Sequence, residues 1–218
     1  MRGFTKAFLT FGLVAAMAGV ASAQGRGGFG GGFGGGPGLV AIPAVQKELK
    51  LDDSQVEKAQ EVIAEMRDKG QEMRSSLEGL EGEERMKKMQ ELMKANNEAA
   101  HKSLSAILKP EQVARLKQIE LQQQGANAIT DADVAKKLGI TAEQKEKAQT
   151  ILADSREEMR EAFQSAGDDR QAAMAKIQTL RKETNSKVMA LMTEDQKKTW
   201  KEMTGEPFEV PPGGPRGR

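Results

Sequence analysis

Apolar residues recur at alternating intervals of three and four positions through most of the chain. Such a heptad seam predicts amphipathic helices that pack along one stripe. Glycines interrupt the pattern at Gly79, Gly82 and Gly167, which marks two hairpin turns. The seam residues of the first hairpin before its turn are Val56, Ala59, Ile63, Met66, Gly70, Met73, Leu77 and Leu80. The pattern predicts long antiparallel helices of about 25 residues each.

A second hairpin is predicted from the same alternation later in the chain, and no segment shows the alternation of a strand. Short helices are expected before the hairpins, at residues 44–50 and 133–138. The remaining seam residues are Met86, Met89, Met93, Asn96, Ala100, Ser103 and Ile107, then Met174, Ile177, Leu180, Thr184, Val188 and Leu191. The predicted fold class is therefore all-α, with two tandem helical-hairpin halves.

The two halves are copies of each other. Shifting the chain by 89 positions places residues 57–60, Glu-Lys-Ala-Gln, on the identical residues 146–149. Further on, a shift of 88 matches Met86 and Gln90 to Met174 and Gln178, and a shift of 84 then aligns residues 108–112 with residues 192–196. The drop from 88 to 84 removes about one helical turn, so the facing of the helices is kept. The predicted repeats are residues 39–124 and 125–204.

Each repeat carries two copies of a short motif, an aliphatic residue followed four positions later by Gln. Asp52, Thr141 and Thr193 stand at the second position of three copies, where they can cap a helix while the Gln closes a capping box. Pro110 fits the first position of another helix. The motif residues predicted to cap helices are Leu51 and Gln55, Leu108 and Gln112, Ile140, Thr141 and Gln144, and Met192, Thr193 and Gln196.

The two ends of the chain differ from this body. Residues 1–23 have Arg2 and Lys6, an apolar run and a terminal Ala-Ser-Ala, the layout of a secretory signal peptide. Residues 24–38 are mostly glycine and predict a flexible linker. Residues 205–218 are predicted to be a disordered tail. We expect the mature protein to be secreted across the inner membrane into the periplasm, without a membrane span.

These motifs and the helix layout make residues 39–204 resemble the Spy/CpxP family of periplasmic proteins, which is named for paired LTxxQ motifs. Thr141 and Thr193 match the second motif position, whereas Asp52 and Lys109 depart from it, so the first repeat is the weaker match. The resemblance implies an all-α fold that forms a curved homodimeric cradle. It also implies a chaperone that needs no ATP, a regulator of envelope-stress sensors or a metal-responsive protein. Two repeats in one chain predict a monomer that acts as a pseudo-dimer.

Composition narrows the chemistry further. The 33 Lys and Arg residues against 32 Asp and Glu give a formal charge of +1, which offers no electrostatic reason to expect nucleic acid as a partner. The absence of Cys and the single His leave thiol catalysis and the usual zinc sites without ligands. No nucleophile and base are paired, and carboxylates on exposed helices are expected to lack the burial that shifts a pKa. We therefore predict no catalytic residues, no metal ligands and no cofactor.

Methionine is the residue type with most bearing on function, because its flexible thioether suits surfaces that accommodate many partners. The candidate polypeptide-binding residues are Met66, Met73, Met86, Met89, Met93, Met159 and Met174. Since most lie on the seams, they also suit an ordinary heptad core. A third interpretation makes Met86, Met89 and Met93 a thioether site for Cu(I).

The predicted function is ATP-independent binding of unfolded or partner polypeptides on an apolar, Met-lined helical surface. The alternative is an envelope-stress regulatory module that binds the periplasmic domain of a sensor, or a metal-responsive module. The first prediction requires apolar side chains exposed on the hairpins. The second requires one defined partner.

Overall fold

The computed structural model describes residues 35–167 and 169–210, and this part of the chain is helical and has no strand. The predicted all-α class is confirmed. The elements of the first repeat are the 3-10 helix η1 (Gly36–Ala41) and the α-helices α1 (Pro43–Glu48), α2 (Asp53–Ser76), α3 (Gly82–Ile107) and α4 (Pro110–Gln124). Those of the second are η2 (Gly125–Thr130), α5 (Ala132–Leu138), α6 (Ala142–Ser165), α7 (Arg170–Ala190) and α8 (Glu194–Thr204).

The two repeats have the same order of elements. The shift of 89 positions places both ends of η1 on those of η2 and both ends of α2 on those of α6. The length difference arises in the later helices, since α3 has 26 residues and α7 has 21, while α4 has 15 and α8 has 11. The missing residues lie inside the hairpin return helix and at the end of the last helix, where their loss preserves the packing around the motifs.

The long helices form two hairpins, as the glycine breaks predict. Helix α2 packs on α3, and α6 packs on α7. Gly79 and Gly167 have φ of 79° and 53° in the two turns, in the left-handed region that glycine enters without strain. Arg85 Nη1 donates to the carbonyl of Leu77 at 3.0 Å and so closes the first turn.

Each repeat has its own apolar core. The first core is built mainly from residues of η1 to α4, including Leu39, Leu104 and Ile119. The second is built mainly from residues of η2 to α8, including Ile129 and Val188. Helix α4 connects the repeats by packing on η1, η2 and α8. Within the described residues, the long helices do not combine into one shared four-helix core.

The structure moves the predicted boundaries at both ends of the body. Pro37 and Gly38, predicted as linker, are buried residues of η1, because Pro fits the start of this helix and Leu39 carries it into the core. Residues 205–210, predicted as disordered tail, lie against the first repeat, where Phe208 and Val210 pack on its core. The predicted signal peptide, the linker residues 24–34 and the tail residues 211–218 lie outside the described residues.

None of the helices in the described part of the chain combines the length and apolar character needed to cross a bilayer.

Candidate functional site

The two motif glutamines of the first repeat bind each other. Gln55 Nε2 donates to Gln112 Oε1 at 2.8 Å, and Gln112 Nε2 donates to Gln55 Oε1 at 3.1 Å. The second amide proton of Gln55 reaches the carbonyl of Ile107 at 3.1 Å, and that of Gln112 reaches the carbonyl of Leu49 at 3.0 Å. Both amides are therefore satisfied in a buried position, as buried polar groups must be. The pair ties the start of α2 to the end of α3 and the start of α4.

The second repeat contains the same arrangement. Gln144 Nε2 donates to Gln196 Oε1 at 2.8 Å, and Gln196 Nε2 donates to Gln144 Oε1 at 3.0 Å. The remaining amide protons bind the carbonyls of Leu191, at 2.7 Å, and Gly139, at 3.0 Å. All four motif copies thus meet in two reciprocal pairs. The two copies of each repeat, 57 residues apart in the first and 52 in the second, thus come together at the base of the hairpin.

The capping role predicted for the motif is confirmed in three copies. Asp52, Thr141 and Thr193 each accept a hydrogen bond from the backbone N–H of the motif Gln, and the Gln side chain accepts one from the capping residue. At Lys109 only the return bond forms, in which Gln112 Oε1 accepts from the Lys109 N–H at 2.8 Å. The Lys109 ammonium has no acceptor atom, so α4 begins without a side-chain cap.

The aliphatic residues of the motif belong to the cores. Leu108 and Met192 are buried, and Leu51 and Ile140 pack on the first and second core. Sequence reasoning identified the motif residues but missed the reciprocal Gln pairing. A capping box accepts Glu as well as Gln, so the presence of Gln in all four copies was the signal. An ionised Glu carboxylate only accepts hydrogen bonds, whereas the Gln amide offers both a donor and an acceptor to an identical partner.

The candidate methionines fall into three classes of exposure. Met66 is only 7% exposed, so it is a core residue and the prediction that it binds polypeptide is corrected. Its side chain packs in the first core between α2 and α3, where solvent does not reach it. Met73, Met89 and Met159 are half-buried. Met86, Met93 and Met174 are exposed.

Within the described residues, four large apolar side chains are exposed, and we call them the tip residues. They are Met86 at 54%, Met93 at 46%, Phe163 at 56% and Met174 at 56% exposure. All lie in the outer halves of the hairpins, nearer to the turns than to the Gln pairs. Met86 and Met174 are equivalent under the shift of 88 positions that aligns the return helices, so both repeats expose a methionine at the same place. Phe163 was not among the sequence candidates, because the prediction considered methionine alone.

One buried carboxyl was also missed. The side chain of Glu120, in α4, is only 7% exposed, and its Oε1 has no hydrogen-bond partner among the described residues. Burial raises the pKa of Glu120 to about 8, against the opposing effect of Lys117. The expectation that carboxylates here lack a pKa-shifting environment is therefore wrong for Glu120. It shares the packed face of α4 with the buried Leu116 and Ile119, which the seams of the hairpins do not reveal.

The single histidine faces this carboxyl. His101 Nε2 lies 3.4 Å from Glu120 Oε2. Burial, and secondarily Lys117, lower the pKa of His101. Burial thus favours the neutral form of both groups, and the contact joins two neutral partners rather than an ion pair. The described residues hold no cluster of three or more His, Cys, Asp or Glu side chains suited to a metal ion.

No protein-family model matches this chain, and no match was found among curated proteins or among solved structures.

Proposed function

We propose that this protein is a Spy/CpxP-like chaperone of the periplasm that binds unfolded or partner polypeptides without ATP. The observation that carries the proposal is the exposure of the four tip residues, Met86, Met93, Phe163 and Met174, on the outer halves of two hairpins. Exposed apolar groups on otherwise charged helices are the features expected of a polypeptide-binding surface.

The packing of the hairpins supports this proposal. Each hairpin is a pair of helices, and its core residues concentrate near the Gln pairs, where η1 or η2 also packs. Towards the turns the helices have only each other, so part of each apolar stripe faces solvent. Methionine costs little to expose and adapts to differently shaped ligands, which suits a surface that binds many sequences.

The remaining elements of the proposal follow from the sequence. Residues 1–23 would direct export and be removed, which places the mature protein in the periplasm. Binding would require neither a cofactor nor a catalytic residue. The two repeats would supply, within one chain, the two equivalent surfaces that a dimer of single repeats supplies with two.

Light scattering of an aggregating client protein tests the proposal, with the mature fragment 24–218 added in the absence of ATP. We expect suppression near a one-to-one ratio. Replacing the four tip residues by Ser should reduce the suppression at least fivefold at equal concentration. The matched control replaces the exposed polar residues Gln90, Gln164 and Gln178 by Ser on the same helices and should leave suppression unchanged.

Two results would reject the proposal. The first is a failure to suppress the aggregation of several unrelated clients. The second is full suppression by the tip variant. Failure with general clients together with tight binding to one envelope sensor domain would instead favour the regulatory alternative, which requires a single defined partner.

A further inference from the structure

The chain leaves the second repeat and crosses to the first. Residues 206–210, which we call the strap, follow α8 without helical structure. Phe208 and Val210 are partly buried against the first core, while Glu209 between them is exposed. Burial therefore alternates from Pro207 to Val210, as in an extended peptide that presents every second side chain to a surface.

One side chain of α4 binds the backbone of the strap. Gln122 Nε2 donates to the carbonyls of Thr204 and Glu206, both at 2.7 Å. Gln122 Oε1 accepts a hydrogen bond from the N–H of Phe208 at 2.8 Å. The bonds to Glu206 and Phe208 use only main-chain groups of the strap, so they would be available to a peptide of another sequence, whereas Thr204 belongs to α8.

A second α4 side chain is fixed in place beside it. Arg115 Nη1 donates to the carbonyl of Glu206 at 2.9 Å and to Gln118 Oε1 at 3.1 Å. Arg115 Nη2 also lies 2.7 Å from Glu48 Oε1, at the end of α1. The ion pair with Glu48 does not involve the strap, so it would hold the guanidinium in position after the strap had left. Glu48, Arg115, Gln118, Gln122 and the adjoining part of the first core form what we call the strap site.

The repeat shows that the fold does not require these groups. The positions of Glu48 and Arg115 correspond to Lys137 and Thr199 in the second repeat. Gln122 lies in the extra turn by which α4, with 15 residues, exceeds α8, with 11. The second repeat forms the same helices without the Glu48–Arg115 ion pair, without the Gln122 amide and without the extra turn of α4. The strap site is therefore an addition to the repeat.

We propose that the strap site binds extended polypeptide, and that the strap occupies it in cis as an exchangeable internal ligand. The occupant that it would accept in trans is a non-helical segment of a client with large apolar side chains two positions apart, as Phe208 and Val210 are. Gly205, at the junction of α8 and the strap, has φ of 63° and lies close to Gln118, so it is the hinge about which the strap would leave. This site is separate from the tip residues and does not depend on their function.

The tether explains how the strap would control the site. A segment joined by one hinge has an effective concentration on the order of millimolar at its own site. A free peptide at micromolar concentration therefore competes poorly until the strap is displaced. The strap would keep the site closed to weakly binding segments and open it to a client that is itself held nearby.

The test uses a fluorescent peptide with the sequence of residues 205–214, GEPFEVPPGG, and fluorescence anisotropy with the mature chain. Phe208→Ser combined with Val210→Ser should release the strap and lower the apparent Kd of the peptide at least tenfold relative to the wild type. Adding Gln122→Ala to this variant should return the apparent Kd to the wild-type value or above. The control peptide, with Ser in place of Phe and Val, should not bind the released variant.

Circular dichroism establishes that the released variant keeps its helices, and Phe208→Ser alone replaces it if the double substitution unfolds the chain. Equal apparent Kd values for wild type and released variant would overturn the proposal. So would a wild-type dimer that the peptide dissociates, because the strap of a second copy would then be the natural occupant. Ser at the four tip residues should leave peptide binding intact. Peptide binding without suppression of aggregation would therefore reject only the chaperone proposal, and the reverse would reject only this one.

Discussion

Met66 and Ala100 in the seam of the first hairpin occupy the positions of Ser155 and Thr184 in the second. Both members of each pair are buried. The first pair is apolar, whereas in the second pair the two hydroxyl oxygens lie 2.5 Å apart and Thr184 Oγ1 also donates to the carbonyl of Leu180. Two helices can therefore pack in the same way around apolar or polar side chains, provided that the buried polar groups hydrogen-bond to each other.

A second difference lies at the end of α4. Glu120 corresponds to Thr204 of α8, and both are buried. Thr204 Oγ1 donates to the carbonyl of Trp200 in its own helix at 2.9 Å, whereas Glu120 contacts His101 through Oε2 and leaves Oε1 without a hydrogen-bond partner among the described residues. The repeats share the Gln pairs and the exposed Met86 and Met174, which define the scaffold and its surface. Glu120 and most of the strap site belong to the first repeat alone and lie on α4, the helix that joins the repeats.

The largest expected effect comes from breaking the two Gln pairs separately. Gln112→Leu should lower the free energy of unfolding by about 2 to 4 kcal/mol, because it strands the buried amide of Gln55 and the carbonyl of Leu49. Gln196→Leu should cost less, about 1 to 2 kcal/mol, because its partner Gln144 is half-exposed and water can replace the lost bonds. Urea unfolding followed by circular dichroism measures both.

The control for these substitutions is Gln90→Leu, at an exposed position of α3, which should change the free energy of unfolding by less than about 0.5 kcal/mol. A cost for Gln196→Leu equal to or greater than that for Gln112→Leu would show that burial does not decide the strength of the pairs.

Most of the fold could be predicted because it rests on local patterns. The heptad seams, the glycine turns and the caps at Asp52, Thr141 and Thr193 each involve residues a few positions apart. The internal repeat adds support, because the same elements are predicted independently in both halves. The predicted ends of the folded body were wrong where a contact between residues distant in sequence decides whether a segment is ordered. Gly38 and Phe208 lie in segments whose composition is typical of linkers and tails, yet neighbouring apolar residues carry both segments onto the first core.

The candidate site was predictable only in part for the same reason. Periodicity places both Met86 and Met66 on seams. It does not show that η1 and the neighbouring helices bury the seam near the base of the hairpin and leave it exposed near the turn. The burial of Glu120 depends on the packing of α4 against η1, η2 and α8, which no pattern within α4 reveals. The 57-residue spacing of Gln55 and Gln112 is visible in the sequence, but their pairing could be recognised only from the geometry of the hairpin base.

The comparison of Glu120 with Thr204 predicts a pH dependence that belongs to the first repeat. The folded-state pKa of Glu120, about 8, lies above its ordinary value of 4.5, so the folded protein retains a proton that the unfolded chain has lost. Stability is therefore highest below the unfolded pKa and falls as pH rises towards 8. Between pH 6.5 and 8 the loss should approach about 2 kcal/mol, at 1.36 kcal/mol per pH unit.

His101 acts in the opposite direction, since its lowered pKa reduces stability as pH falls below 6.5. Between pH 6.5 and 8 His101 can only raise stability, so a fall in stability over this interval comes from Glu120. Urea unfolding at both pH values should show the loss in the wild type and a nearly flat profile in Glu120→Thr, which gives α4 the residue of α8. A wild-type profile as flat as that of Glu120→Thr would mean that water reaches the carboxyl and keeps its pKa ordinary.

The polar seam of the second hairpin predicts a smaller effect. Thr184→Val keeps the shape of the side chain but removes the acceptor of Ser155, so the Ser155 hydroxyl is buried without a partner. The expected loss in free energy of unfolding is about 1 to 2 kcal/mol. Combining it with Ser155→Ala should recover part of the loss, because no polar group then remains unpaired. A double variant less stable than Thr184→Val, measured by urea unfolding, would contradict the assigned hydrogen bond.

The smallest expected effect is a gain at the one uncapped motif. Lys109→Thr gives α4 the capping residue that Thr193 provides for α8, and its hydroxyl can accept from the Gln112 N–H. Because Lys109 is exposed and its ammonium makes no cap, nothing is lost in exchange, and stability should rise by about 0.5 to 1 kcal/mol. The reverse change, Thr193→Ala, should cost a similar amount. If Lys109→Thr is neutral while Thr193→Ala is destabilising, the reciprocal Gln pair and Pro110 already hold the start of α4 as firmly as a side-chain cap would.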